Sequence, residues 1–250
     1  PKNRNNWVQI DGYYGNLFGF TDMTDPSDSA MEPPMVWMTN NKDRSPAEML
    51  WVPKQAWGSL GGSLLNLSYG TGRAFIVPHE QIGGLWQGAV CELPMPAFAT
   101  GIMRGRFGAD GALYTCGMFA WAGNATAPGG FHRIRRTSRP SPVPIAIHAS
   151  RGALSVTFSD ALDPTSVKPE AFAFKTWSIK RTANYGSKHY DEHPLDIAEV
   201  TLGSDSRTVT ISIPALASTP CYELTMSIRA QTGKPFQRSL HGTIHQVSPQ

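Results

Sequence analysis

The sequence predicts an all-β fold, and three observations predict it. The chain is punctuated by 24 glycines and 20 prolines in 250 residues, which separate short apolar runs, as turns separate short strands. Several of those runs alternate apolar and polar residues with a period of two, Leu154-Ser155-Val156-Thr157-Phe158 most plainly. From residue 145 onward such runs recur at turn-bounded intervals, about seven in about 105 residues, the spacing of a sandwich.

The composition supports a real core. Residues of the AVILMFWYC set make up 40% of the chain, and charged residues 16%, well under the average of about 25%. The net charge is +3 and the basic residues are scattered, apart from His132-Arg133-Ile134-Arg135-Arg136 and nearby Arg139. That run reads as a solvated strand face. With no nucleic-acid motif beside it, nucleic acid is not an expected partner. No apolar run approaches the roughly 20 residues of a membrane-spanning helix. The chain opens at Pro1, without an initiator Met or a signal peptide, so further N-terminal sequence is expected. Cys91, Cys116 and Cys221 form no Cys-x-x-Cys and no Cys-x-x-Cys-His, which excludes a zinc ribbon or a c-type haem attachment here. Cys91 and Cys116 fall on strands of adjacent units, where they either pair or stay free and buried.

Residues 1–60 read as loop-rich, with a polar stretch at 22–34 and tryptophans at 7, 37, 51 and 57 that follow no helical period. Such aromatics pack over strand ends or line a ligand cleft. Residues 64–69, 73–77 and 87–93 then read as a three-strand meander with glycine turns, and 102–107, 112–119 and 131–136 as a second, with Asp110-Gly111 as a tight hairpin signal. Two consecutive antiparallel meanders suggest propeller blades, too few to close a ring of about four to eight. The run Thr137-Ser138-Arg139-Pro140-Ser141-Pro142-Val143-Pro144 cannot form a ladder or a helix and marks the boundary between residues 1–140 and 141–250. Beyond it, strands are predicted at 145–149, 154–158, 173–181, 196–202, 208–213 and 221–228. A helical turn is expected at 167–171, and a last strand at 240–245 weakened by Gly242. The predicted architecture is thus a partial β-propeller, its last blades only, followed by an Ig-like β-sandwich.

The second half resembles bacterial Ig-like domains. The residues that carry this are Leu154 to Pro164, Ser166-Val167, Ala171-Phe172, Ala198 to Leu202, Asp205 to Ile211, Tyr222 to Thr225 and Gly233-Lys234-Pro235, with an insertion around Asn184-Tyr185-Gly186-Ser187. The first half resembles the closing blades of glucose/sorbosone dehydrogenase-type propellers, in particular the large secreted forms of planctomycete- and verrucomicrobium-like bacteria. There the matching residues are Leu67 to Gly72, Pro78-His79-Glu80, Gln87 to Val90, Met103 to Phe107 and Asp110 to Tyr114. The resemblance implies a periplasmic or secreted protein, the C-terminal part of a quinone-dependent sugar or alcohol oxidoreductase. Its partners would be the remaining N-terminal blades, a cytochrome c domain of the same protein, and a sugar or polysaccharide. The alternative is a non-catalytic binding or spacer module of a large extracytoplasmic protein.

In such dehydrogenases pyrroloquinoline quinone sits in the propeller funnel. Its carboxylates call for guanidinium partners, and hydride transfer from an alcohol calls for a base at the hydroxyl. Arg104 and Arg106 alternate on one strand and so share a face. They are the candidates for the cofactor's carboxylates, or else for ordinary ion pairs. His79 is the candidate base, or else a hydrogen-bonded structural histidine. Glu80, next to it in a strand, faces the other way and cannot orient it. His189, Asp191, Glu192 and His193 form a His/acid cluster that reads as a solvated loop before it reads as a metal site, and Asp160 and Asp163 read as turn formers. Nucleophile motifs, phosphate-binding loops and His-Glu-x-x-His are absent.

Overall fold

Half of the chain is β-strand and 4% is helical, in antiparallel sheets. The computed structural model describes residues 3–14, 31–119, 127–180 and 186–249. Most of the polar stretch at 22–34, the Gly/Ala/Pro-rich residues 120–126, and Asn184 and Tyr185 of the insertion lie outside the described residues.

In the N-terminal half, β1 (Asn3–Asn5) pairs with β2 (Val36–Met38). β3 (Pro46–Trp51), β4 (Leu64–Ser68), β5 (Ala74–Ile76) and β7 (Leu85–Glu92) form an antiparallel meander, with β6 (His79–Ile82) folded as a hairpin onto the start of β7. β8 (Gly101–Phe107), β9 (Leu113–Met118) and β10 (Gly129–Ile134) make a separate three-stranded sheet. The sequence misses β3 and β6. Both are short, β3 (Pro-Ala-Glu-Met-Leu-Trp) being apolar apart from Glu48 and β6 (His-Glu-Gln-Ile) mostly polar, so neither carries the alternation that marks a half-buried strand.

The C-terminal half contributes eight strands: β11 (Pro144–Ser150), β12 (Ala153–Phe158), β13 (Phe172–Ser178), β14 (Tyr190–Leu195), β15 (Glu199–Leu202), β16 (Thr208–Ser212), β17 (Thr219–Arg229) and β18 (Pro235–Ile244). One sheet has the order β11-β12-β16-β15 and the facing one β14-β13-β17-β18. That is the strand order of an Ig-type sandwich with an added edge strand. The predicted helical turn is two 3-10 turns, at Pro164–Ser166 and Pro169–Ala171, each opening on a proline whose missing N–H costs nothing there. Pro194 sits in β14, an edge strand, where a missing ladder N–H is tolerated.

Where the structure departs from the two-domain expectation is the joint. β18 does not end the sandwich. It pairs with β7 (Leu240 opposite Cys91, His241 opposite Val90, Gly242 opposite Ala89, Thr243 opposite Gly88), so one nine-stranded sheet runs through both halves. The first meander is therefore not a free-standing blade. Glycines make the joint close: a Cβ on Gly242 would meet the Gly88 carbonyl oxygen at 2.5 Å. Glycine in a strand is ordinarily a weak point, but here it is what lets the two ladders meet.

Alternation sorts side chains to the two faces of this sheet. One face carries Leu65, Leu67, Ile76, Cys91, Tyr222, Leu224 and Leu240 into a core shared with Leu154, Val156, Phe158 and Ile211 of the facing sandwich sheet and with Ile102 and Leu113 of the β8–β10 sheet. The opposite face carries Leu64, Phe75, Val77 and Val90, which Met35, Val36 and Met38 cover as the N-terminal segment crosses. That segment is pinned by the Trp37 N–H donating to Thr243 Oγ1 (2.9 Å), and by Asp43. The Asp43 carboxylate is buried, accepts hydrogen bonds from Arg44 N, Asn66 Nδ2 and Thr71 Oγ1, and has its pKa raised by that burial.

Candidate functional site

The turn Gly83-Gly84 has φ of 56° and 85°, the conformation of a two-residue hairpin whose first and second positions both need positive φ. It sets Ile82 against Leu85 and thereby His79 against Gly88 and Gln81 against Trp86. His79 and Trp86 thus emerge on the same face, the one the N-terminal segment crosses. Gly88 makes room for the histidine, since a Cβ there would lie 3.0 Å from His79 Cβ.

Three indoles gather around His79. Trp7 stacks on Trp86, with ring centroids 3.8 Å apart and planes 17° apart, and Trp51 meets Trp7 edge-on at 6.3 Å and 77°. The His79 ring lies 5.7 Å from Trp7, 5.6 Å from Trp51 and 5.7 Å from Trp86. Its Nδ1 donates to the Val77 carbonyl at 2.8 Å, which leaves Nε2 with the lone pair in the neutral ring. Nε2 has no hydrogen bond among the described residues. Trp51, at the end of β3, is 50% exposed. Of the tryptophans singled out in the sequence, 7 and 51 meet here. Trp37 lies in β2 beneath the Arg4 guanidinium, and Trp57 packs edge-on against Phe107. Trp86 was missed, although its position two residues from Gly88, opposite the His79 strand, is the pattern that would have placed it.

Glu80 faces the other way, as alternation requires. Its carboxylate accepts from Gln87 Nε2 (2.8 Å), Ala149 N (2.9 Å) and His148 Nδ1 (2.7 Å), tying β6 to β11. It is a structural clamp between the two halves, and takes no part in the His79 site.

Arg104 and Arg106 share a face, and it is the outer face of the β8–β10 sheet. Gly105 between them points inward, where a Cβ would meet Leu67 and Leu113. Arg106 pairs with Glu48 Oε1 at 2.5 Å, which raises its pKa further, and remains 75% exposed, while Glu48 Oε2 accepts the Gly105 N–H at 2.6 Å. Among the described residues Arg104 donates only to its own neighbour, the Met103 carbonyl. Around them on that face stand Tyr114, Cys116, Phe131 and Arg133. On β3, Trp51 opposes Leu64 and joins the His79 side, whereas Glu48 opposes Leu67 and joins the Arg106 side. The sheet therefore stands between His79 and the two arginines.

The other candidates resolve simply. His189 stacks on Trp177 at 4.3 Å and pairs with Glu192, whose carboxyl is held low by that bond and by Lys175, while His193 Nδ1 donates to the Asp191 carbonyl. No group able to hold a metal ion exists among the described residues. The predicted loop around them is partly strand β14, a polar edge. Asp163 caps a 3-10 turn through Thr165 N and binds Arg229 Nε, each at 2.9 Å. Cys91 is buried and Cys116 exposed on an outer face, and both are free thiols. A hollow of about 440 Å³ opens beside Trp57, Asp110 and Ser138, but Arg136 across it is already bonded to the Trp57 carbonyl and Ser59. No helix among the described residues is long and apolar enough to cross a membrane.

Compared with family models, curated proteins and solved structures, the chain matches none.

Proposed function

We propose that this chain is a non-catalytic recognition module of an extracytoplasmic protein, with its binding surface at the tryptophan cluster around His79. The observation that carries the reading is the separation of the would-be catalytic set. A quinone held by Arg104 and Arg106 sits on one side of the sheet and a base at His79 on the other, so this chain's residues do not surround one pyrroloquinoline quinone, and no hydride-transfer step is assigned to it. The half-exposed Trp51 beside an imidazole nitrogen without a hydrogen bond among the described residues is instead a surface for holding a ligand. The test is to titrate the full chain into pyrroloquinoline quinone and, separately, to pass it over insoluble glycans. Unchanged quinone fluorescence together with retention on a glycan is expected. Quinone binding lost in Arg104→Ala, or sugar-dependent dye reduction requiring this chain, would overturn it.

A second reading is favoured by one observation. The outer face of the β8–β10 sheet leaves Phe131 72% and Met118 53% exposed beside Arg104, which has no ion pair among the described residues, as a blade face does before its neighbour packs on it. On that reading the chain closes a longer dehydrogenase-like propeller, whose remaining blades and cytochrome c domain supply the chemistry. Joint expression with those blades would then bury Phe131, and solvent quenching of a Phe131→Trp variant would fall on assembly.

A further inference from the structure

We infer that Trp51 and His79 form a subsite for a neutral pyranose of a polysaccharide, a proposal that rests on the recognition-module reading and gives it a ligand class. Three features point to a sugar. Trp51 offers an aromatic face that is half exposed, although it is braced edge-on against Trp7 and His79. A flat apolar ring suits the C–H face of a pyranose, and burying it costs little conformational entropy because few torsions are frozen. Beside it, the His79 ring is fixed in place. Its Nδ1 is committed to Val77 O and its ring is flanked by three indoles, so the ring, and Nε2 with it, is pre-oriented beside the Trp51 platform. A hydroxyl can donate to that nitrogen, and a hydroxyl-bearing ring satisfies both requirements at once.

The third feature is charge. Among the described residues, no aspartate, glutamate, lysine or arginine takes part in the ring contacts of the cluster, and the Glu80 carboxylate next to His79 in sequence is turned to the opposite face, where it accepts from Gln87, Ala149 and His148. Among the described residues an acidic sugar or a phosphate finds no cation in these ring contacts, while a quaternary ammonium finds the space between the indoles already filled by the imidazole. A neutral ring is what remains. The backing is rigid as well, with Trp86 on the hairpin closed by Gly83-Gly84 and Trp7 stacked on it, so the platform exists before the ligand arrives.

The experiment is affinity electrophoresis of the full chain through gels containing a soluble neutral glucan, with alginate gels and phosphatidylcholine vesicles run in parallel and binding to glucan followed also by tryptophan fluorescence. Wild type should be retarded by the glucan, and Trp51→Ala should weaken this by about tenfold or more, the loss typical when an exposed aromatic anchor is truncated. His79→Gln, which keeps a hydrogen-bonding group, should lose less than His79→Ala. Thermal melts of each variant separate lost binding from lost folding. Should a melt show that Trp51→Ala is unfolded, Trp51→Phe, which narrows the platform, takes its place and should weaken binding by a smaller factor. Glucan binding that persists undiminished in a folded Trp51 variant overturns the subsite and leaves the module reading standing. Absence of retention on every glycan overturns both. Binding to alginate or to vesicles in place of the glucan overturns the neutral-sugar assignment.

Discussion

Gly242 is where the two halves of the chain are joined, and adding one methyl group there should show it. In a generic strand, Gly→Ala gains about 0.5–1 kcal/mol because the unfolded chain loses freedom. Here the added Cβ would lie 2.5 Å from the Gly88 carbonyl oxygen and 2.7 Å from two atoms of the Tyr222 ring. Neither neighbour can give way cheaply. Gly88 O belongs to the backbone of β7, and Tyr222 is fully buried with its ring stacked 5.3 Å from Phe174. The strands must separate, which costs about 1–3 kcal/mol in overpacking and roughly 1 kcal/mol for each ladder bond weakened. The clash wins, and Gly242→Ala should destabilise by about 3 kcal/mol, a fall in Tm of roughly 6–12 °C for a chain of this size. Scanning calorimetry measures it. Gly129→Ala on exposed β10, whose new Cβ would meet only Gly117 O at 3.5 Å, is the control and should be neutral or slightly stabilising. A Gly242→Ala protein that melts at or above the wild-type temperature would show that β7 and β18 do not lie side by side as described.

Glu80→Ala strands three donors in a site where the carboxylate is only 11% exposed, and should cost about 2–4 kcal/mol in urea denaturation, against at most about 1 kcal/mol for Glu92→Ala, whose pair with Arg73 is solvent-accessible; equal costs would remove Glu80 as the clamp. Iodoacetamide should label Cys116 alone in the native protein, and Cys91 and Cys221 only after unfolding, because burial pushes those thiols up to about 11 and about 12; native labelling of Cys91, or a mass two hydrogens short, would contradict this. Burial, with Lys42 nearby, pushes His241 from its ordinary 6.5 down to about 3, so between those values the unfolded chain takes up a proton that the folded one refuses. Stability is therefore full above pH 6.5 and declines as pH falls toward 3. His241→Leu should shrink the Tm difference between pH 7 and pH 4.5, and an unchanged difference would mean that His241 is not the group responsible.

The strands visible in the sequence are those with one wet and one dry face. Leu154, Val156 and Phe158 alternate with Ser155 and Thr157 because only the first set reaches the core, and the Ig-type half follows from such runs. The strands missed are edges. β14 exposes most of its residues and contains Pro194, so no alternation survives to be read. For the site, the opposed directions of His79 and Glu80, and the shared face of Arg104 and Arg106, were legible, since both follow from the period of a strand. What was not legible is which face each strand turns to the core. That depends on pairings such as Gly242 with Ala89, more than 150 residues apart, and nothing local to either strand encodes it. Separation along the chain likewise hides the meeting of Trp7, Trp51 and Trp86, which no local pattern around any of them encodes.

Strand edges explain why one sheet runs through both halves of the chain. A sandwich ending at β18 would expose the row of amides from Leu240 to Thr243, flanked by apolar residues, an invitation to pair with another molecule. β7 closes that row. The meander in turn has two ends, and only one is closed by β18. At the other, the Glu48 carboxylate reaches from β3 to take the Gly105 amide of β8, so a side chain does the work of an absent ladder. Each joint has the chemistry its surroundings require: glycine against glycine where two backbones must approach, and a carboxylate where they cannot. The aromatic cluster follows from the same geometry. On the outer face of the sheet Met35, Val36 and Met38 cover Leu64, Phe75, Val77 and Val90, and at the Trp51 corner the indoles of Trp7, Trp51 and Trp86 close the apolar surface together with the His79 imidazole, leaving the Trp51 ring half exposed.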